Sequence, residues 1–200
     1  LGRPDHYRIE WEQKVNQAFS NKGAVWSAGD GDFLLMGNNR YSKLASRELA
    51  LGAATGISGG AAHTIPALFF GTESSPLRTL KDISLQKEEK IDQEDCHVLS
   101  GTVAGQKIIL WIGKTSLLIR QRQHVLGGPV TRPEMTDETI KESLKQLNKE
   151  ATPEAIAQMR KTMDNARAMT SKMKGTMTET HHAILVDQPI PKADFQYQVT

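Results

Sequence analysis

The sequence predicts an α+β protein built on antiparallel sheet, and three observations support this class. Apolar and charged residues alternate from His6 to Val15, and short strand-like runs joined by tight turns continue to Val125. An uncharged segment, residues 49–72, interrupts these strands. From Thr136 onward the apolar residues recur at helical spacing instead.

The composition limits the size of the fold and its partners. A chain of 200 residues and 22.1 kDa is long enough to bury one core, and we predict a single domain over residues 1–200 with a helical insert at about 136–174. Only 38% of the residues are hydrophobic, so a large share of the chain must be solvated. The net charge of +2 comes from interleaved acids and bases, which argues against a nucleic-acid partner.

The single cysteine, Cys96, excludes an internal disulfide and a cysteine-based zinc cluster. It begins a strand-like run, residues 96–103, and the expected role is that of a small buried hydrophobic residue. A reactive thiol is the less favoured interpretation.

The first strands follow one another closely. In residues 6–15 the period of two places Tyr7, Ile9 and Trp11 on one face. Residues 16–23 read as a polar connection. Two strands, 24–28 and 32–36, flank a Gly-Asp-Gly turn, and a further strand follows at 40–44.

The remaining strands are predicted on both sides of the helical insert. Four precede it, at residues 82–89, 96–103, 106–112 and 116–125. Two closing strands, 180–186 and 195–199, follow it and are separated by prolines. Short turns join most of these segments, which is typical of an antiparallel meander.

Four helices are predicted. Glycines divide the uncharged segment into one helix from about 46 to 55 and another from Pro66 to Gly71. In the insert, Ile140, Leu144 and Leu147 form one apolar stripe. The second insert helix starts with Thr152 as N-cap and Pro153 at the first helical position.

Three functions compete for the uncharged segment. A membrane span is disfavoured because the glycine pair 59–60 and Pro66 would break the helix. The pattern Gly56-Ile57-Ser58-Gly59-Gly60 matches the nucleophile elbow of hydrolases, but helical residues precede it where that elbow needs a strand. We therefore favour an apolar cover over a sheet and expect no enzymatic activity.

A metal site is the remaining chemical alternative. Three Met-x-x-x-Met spacings and a histidine pair could bind copper(I), and they comprise Met159, Met163, Met169, Met173, Met177, His181 and His182. Methionines at helical spacing more often fill gaps in packing. We expect neither a metal nor another cofactor.

Five short motifs follow one another along the chain: Arg47-Glu48-Leu49, Ile65-Pro66-Ala67-Leu68-Phe69, Cys96-His97-Val98-Leu99, Leu110-Trp111-Ile112-Gly113-Lys114 and Leu117-Leu118-Ile119-Arg120. Together they resemble the LolA/LolB-like superfamily, and more narrowly bacterial outer-membrane lipoprotein-sorting proteins. Gly113 replaces the aspartate usual in that family's hairpin, and Phe195-Gln196-Tyr197 resembles its closing strand. The resemblance covers most of residues 5–125 and 180–199, so the insert is an addition.

The resemblance implies a strongly curved antiparallel sheet that forms a half-open β-barrel, with apolar helices as a lid across its mouth. In such proteins the concave side takes acyl chains, and the protein is exported to the periplasm or attached to the outer membrane. No signal peptide is visible from Leu1 onward. The family's N-terminal helix and its mouth-closing arginine have no counterpart that can be matched here.

The expected function is that of a non-catalytic carrier or sensor of a hydrophobic ligand, a lipid or the acyl chain of a lipoprotein. The candidate cavity-lining residues are Trp11, Trp26, Leu35 and Trp111 from strands, with Ile57, Ile65, Leu68 and Phe69 from the lid. The alternative is a protein-interaction module of the same fold that regulates envelope signalling through an envelope protein bound at the helices of 136–174. A hydrolase and a copper site rank below both.

Overall fold

The computed structural model describes residues 1–16, 19–36, 40–72, 75–126, 136–146, 149–172 and 174–198. The chain divides into two compact units, Leu1–Arg78 with Asp187–Thr200, and Thr79–Val186. The prediction of a single domain over the whole chain stays a prediction.

The first unit contains a four-stranded antiparallel sheet. Its strands β1 (His6–Asn16), β2 (Phe19–Ala28), β3 (Asp32–Met36) and β4 (Arg40–Leu44) pair in chain order. The expected polar connection at 16–23 is wrong, because β2 already begins at Phe19 and pairs with the end of β1. This part of the hairpin is a polar ribbon, and polar strands lack the apolar alternation by which a sequence reveals them.

Two helices follow in the same unit, α1 (Arg47–Ser58) and α2 (Ile65–Phe70), and then a 3-10 helix, Pro76–Thr79. The Ser46 hydroxyl caps α1 by accepting a hydrogen bond from Leu49 N at 3.2 Å. Gly59 ends α1 in the left-handed conformation, as Gly71 ends α2. α1 therefore continues one turn beyond the predicted end at 55, because a glycine within a helix costs only about 1 kcal/mol.

The second unit contains a six-stranded antiparallel sheet. Its strands are β5 (Lys81–Leu85), β6 (Glu89–Ile91), β7 (Glu94–Val103), β8 (Gln106–Gly113), β9 (Ile119–Leu126) and β10 (Gly175–Thr180). The order is β10-β9-β8-β7-β5, and β6 also pairs with β7. The predicted strand 82–89 is thus divided into β5 and β6.

The turn between β8 and β9 is longer than predicted, so that β9 begins at Ile119 rather than at 116. The Glu94 carboxylate accepts hydrogen bonds from Ser116 N at 2.8 Å and from Thr115 N at 3.3 Å, which holds this turn. A Cβ atom at Gly113 would overlap the same carboxylate. Gly113 therefore makes room for Glu94.

The predicted closing strands, 180–186 and 195–199, are wrong. The last strand, β10, lies at Gly175–Thr180, and positive φ angles at Ala183 and Asp187 interrupt extended structure after it. Phe195 ends a 3-10 helix, Lys192–Phe195, and residue 199 lies outside the described residues.

The insert forms two helices, α3 (Asp137–Gln146) and α4 (Pro153–Lys172), which pack against each other. Ile140 and Leu144 are buried, as their stripe predicts, whereas Leu147 lies outside the described residues. The Thr152 hydroxyl accepts a hydrogen bond from Ala155 N at 3.2 Å and confirms the predicted N-cap.

The α+β class and the antiparallel pairing are confirmed, with two sheets and four α-helices in the described residues. The strands are divided between two sheets, whereas the sequence predicted one. Within those residues, no helix has both the length and the apolar character needed to cross a bilayer.

Candidate functional site

One face of the first sheet carries the main apolar cluster of its unit. Strand pairing places Ile9 opposite Val25, and Val25 opposite Leu34, so these side chains share a face with Tyr7 and Trp11. All of them except Ile9 are buried. Helix α1 covers this face and belongs to the same cluster.

Helix α1 contributes mostly small side chains to this contact. Ala50, Leu51 and Ala54 are buried, and Leu51 is the one large side chain among them. A Cβ atom at Gly52 or Gly56 would meet no other atom within 4 Å, so both glycines face open space. Ala53 and Ile57 of α1 are half-buried and pack against the same cluster.

Trp11 belongs to this cluster and places a polar group, its indole N–H, among apolar side chains. Its side chain is 8% exposed, and its enclosed indole Nε1–H has no hydrogen-bond acceptor among the residues that the structure describes. Gly23, the residue paired with it across the hairpin, provides the space over which the ring lies. A buried donor left without an acceptor costs about 1 to 3 kcal/mol of folding free energy, so this N–H destabilises the apolar site.

Tyr7 closes one end of the same cluster. It is fully buried, and its hydroxyl donates a 2.6 Å hydrogen bond to Asp32 Oδ1. Burial and this bond raise the pKa of Tyr7 well above its usual value. The Phe70 ring packs edge-on against Tyr7 at 5.6 Å, and the Arg47 guanidinium lies 4.5 Å from the Phe70 ring centre. The sequence alternation placed Tyr7 on this face but did not single it out.

The predicted cavity residues are brought together only in part. Trp11 and Ile57 belong to the cluster beneath α1. In α2, Ile65 is half-buried, Leu68 is 44% exposed, and Phe69 packs against the Arg3 guanidinium at 5.2 Å. The lid residues of α2 therefore lie nearer to solvent than those of α1.

Trp26 and Leu35 lie on the opposite face of the same sheet. Trp26 pairs across the hairpin with Arg8, one residue out of phase with Trp11. Its ring stacks on Phe33 at 5.5 Å and contacts Tyr197 at 5.3 Å. This face is covered by the chain's own segment near Tyr197, and so it is separate from the site under α1.

Trp111 belongs to the second unit, where it packs with Cys96 and Val98. Its indole N–H donates a 2.9 Å hydrogen bond to Glu89 Oε2, so it has the acceptor that Trp11 lacks. Cys96 is fully buried, as predicted, and burial raises the pKa of its thiol.

Ser58 does not have the surroundings of a nucleophile elbow. It is the last residue of α1, 6% exposed, and its hydroxyl accepts a 2.8 Å hydrogen bond from Ala61 N. A helix enters this turn, whereas the hydrolase elbow needs a strand there.

Within the described ranges of the chain, His, Cys, Asp and Glu side chains do not gather in groups of three or more that could hold a metal ion. Met159 and Met163 are half-buried on α4, while Met173 lies outside the described residues.

A cavity of about 260 Å³ occurs elsewhere in the first unit, where Leu1, Arg3 and His6 face Lys192 and Phe195. Its lining contains no residue of α1, although Leu1 also packs against the apolar cluster.

Comparison with known proteins gives one partial likeness. No protein-family model matches the sequence, and no curated protein matches it. The crystal structure of a DUF1329 family protein from Desulfovibrio piger is similar over 52% of this chain and 45% of that chain, with 19% identity and a TM-score of 0.28. At this TM-score the likeness carries no argument about the present chain.

Proposed function

We propose that the protein is a non-catalytic carrier or sensor that binds a lipid, or the acyl chain of a lipoprotein, between α1 and the first sheet. Helix α1 acts as a lid that packs on the sheet without ligand and yields when an acyl chain enters. From the resemblance of the sequence to LolA and LolB, the proposal also includes the fold of a half-open barrel and a location in the periplasm or at the outer membrane.

The observation that carries the proposal is the Trp11 indole N–H, which is buried in an apolar cluster and finds no acceptor in the described part of the chain. Indole is a donor only, so a partner must bring an oxygen with a free lone pair. An ester or amide carbonyl next to an acyl chain provides both that oxygen and the apolar surface. Ligand entry would thus satisfy a group that the closed state leaves unsatisfied.

The energies permit such an exchange. Burying the side chains of Ala50, Leu51 and Ala54 stabilises the closed lid by about 4 kcal/mol, and the half-buried Ala53 and Ile57 add about 1 to 2 kcal/mol. An acyl chain of ten methylenes gains about 8 kcal/mol when it leaves water. The ligand can therefore displace the contacts of Ala50, Leu51 and Ala54 and still bind.

The test follows the Trp11 indole N–H signal by NMR during titration with methyl decanoate. We expect this signal to shift and the indole signals of Trp26 and Trp111 to stay in place. Replacement of Trp11 by Phe should weaken ester binding about 5- to 10-fold, because one buried hydrogen bond is lost. The matched control is Trp26→Phe, on the opposite face, which should leave binding unchanged.

Native mass spectrometry of protein isolated from its own envelope provides a second measurement. A retained lipid adduct is expected under gentle conditions. The proposal is wrong if no adduct is recovered and methyl decanoate leaves the Trp11 signal unchanged.

A second candidate, the protein-interaction module, is favoured by α4. This helix has twenty residues, and none of its described side chains is fully buried. Ile156, Met159 and Met163 form a half-buried stripe at helical spacing. The double change Ile156→Glu and Met159→Glu should abolish capture of an envelope protein and leave ester binding intact. Unchanged capture would remove this candidate.

A further inference from the structure

A row of polar side chains crosses one face of the second sheet. Pairing places Arg122 of β9 between Leu110 of β8 and Glu179 of β10. His124, two residues further along β9, lies on the same face. Gln106 joins this row, because its Oε1 lies 2.8 Å from His124 Nε2.

Arg122 is buried but incompletely bound. Its side chain is 3% exposed, and its nearest acid is Glu179, whose Oε2 lies 3.6 Å from the guanidinium. That distance is longer than a charge-assisted hydrogen bond, which is about 2.7 to 2.9 Å. The Nε–H of Arg122 is enclosed and has no acceptor within the described ranges. The pair is thus not the bidentate contact of a structural ion pair.

Gln106 adds a second donor of the same kind. It is 5% exposed, and its amide Nε2 is enclosed, although its Oε1 contacts His124. Two side chains in one row, each more than nine-tenths buried, therefore have N–H groups with no acceptor among the described residues. Buried donors of this type normally find partners, so an acceptor from outside the chain is indicated.

The surroundings define the rest of the ligand. Ile108 and Leu110 lie on the same face and are 1% and 4% exposed. The other carboxylate oxygen of Glu179, Oε1, lies 3.5 Å from His181 Nε2. A guanidinium fork prefers an acceptor with two oxygens, such as a carboxylate or a phosphate.

We propose that Arg122 and Gln106 form a binding site for the oxyanion of an amphipathic ligand, a carboxylate or phosphate whose apolar part lies against Ile108 and Leu110. This site is in the second unit, so it is independent of the site under α1. It adds a charged head group to the chemistry that the protein recognises.

The experiment follows the Arg122 Nε–H signal by NMR with four probes: decanoate, decyl phosphate, inorganic phosphate and methyl decanoate. We expect decanoate and decyl phosphate to shift this signal and to bind at least roughly tenfold more tightly than methyl decanoate. Inorganic phosphate should bind more weakly than decyl phosphate. Equal binding of those two would overturn the amphipathic part of the proposal and leave a free anion as the ligand.

Three variants complete the test. Arg122→Gln should remove the preference for decanoate over its methyl ester, and Gln106→Leu, which keeps the guanidinium, should reduce it several-fold. Lys107→Gln, which removes one positive charge from an exposed residue on the opposite face, should leave it unchanged. The proposal is overturned if Arg122→Gln keeps the preference, or if decanoate leaves the Arg122 signal in place. The Trp11 signal reports ester binding separately, so either site can fail alone.

Discussion

Replacement of Gly23 by alanine tests the packing of Trp11 most directly. A Cβ atom at this position would lie 2.6 Å from Trp11 Cε2 and 2.8 Å from the Leu35 carbonyl oxygen. Ordinary carbon contacts are about 3.5 to 4 Å, so the ring would have to move by about 1 Å. The carbonyl cannot move as easily, because Gly23 also pairs with Met36 in the β2–β3 ladder.

The magnitude follows from two opposing effects. Overpacking of a filled core costs about 1 to 3 kcal/mol. Alanine recovers about 0.5 to 1 kcal/mol, because it loses less backbone entropy than glycine on folding. We expect Gly23→Ala to lower the free energy of unfolding by about 1 to 2 kcal/mol, which urea titration would measure.

A double-mutant cycle with Trp11→Phe separates this clash from other effects. The smaller phenyl ring lacks the atoms nearest to the new methyl group, so the second substitution should cost less in the Gly23→Ala background. A coupling energy of about 1 kcal/mol is expected. The reasoning is refuted if the two changes are additive, or if Gly23→Ala is as stable as the original protein.

Three further predictions concern stability. Gly52→Ala and Gly56→Ala should each raise the free energy of unfolding by about 0.5 to 1 kcal/mol, because both positions are helical and open; a loss in urea titration would contradict the described surroundings of α1. The pKa of Tyr7 is raised in the folded state, so the contribution of Tyr7 to the free energy of unfolding should be complete below pH 10 and should fall as the pH rises above 10. Tyr7→Phe should weaken this loss of stability at alkaline pH, which circular dichroism would follow. An unchanged pH profile would show that Tyr7 does not cause the loss. Burial lowers the pKa of His181 below its usual 6.5. As the pH drops below 6.5, His181 therefore takes up a proton more readily in the unfolded chain than in the folded one, and the free energy of unfolding should fall. His181→Gln should flatten this acid limb, and an equal slope in both proteins would show that another group causes it.

The sequence could predict those elements whose local signals agree with their packing. The alternation of β1 and the N-cap Thr152 of α4 are of this kind. The polar ribbon at the start of β2 and the strand β10 could not be found, since backbone pairing with a neighbour forms them without an apolar pattern. Charge and periodicity carry no information about such pairing.

The candidate site could be predicted only by residue type. Trp11 and Trp26 are both strand tryptophans, and the register of one hairpin places them on opposite faces. Arg122 was overlooked because β9 is polar on both sides, so only its pairing with Leu110 reveals that it lies among apolar side chains. Register depends on long-range pairing, which a single sequence does not display.

The order of the two units along the chain has a consequence for biosynthesis. The whole second unit lies, in sequence, between the two segments that make up the first. Arg8 donates hydrogen bonds to the carbonyl oxygens of Asp194 at 3.3 Å and Gln196 at 3.1 Å, bonds that must wait for more than 180 residues of intervening chain to be synthesised. During that interval the aromatic face around Trp26 lacks the covering segment that carries Tyr197. A nascent chain, or one cleaved before Lys192, therefore leaves this aromatic face uncovered, where exposed apolar surface favours proteolysis and aggregation.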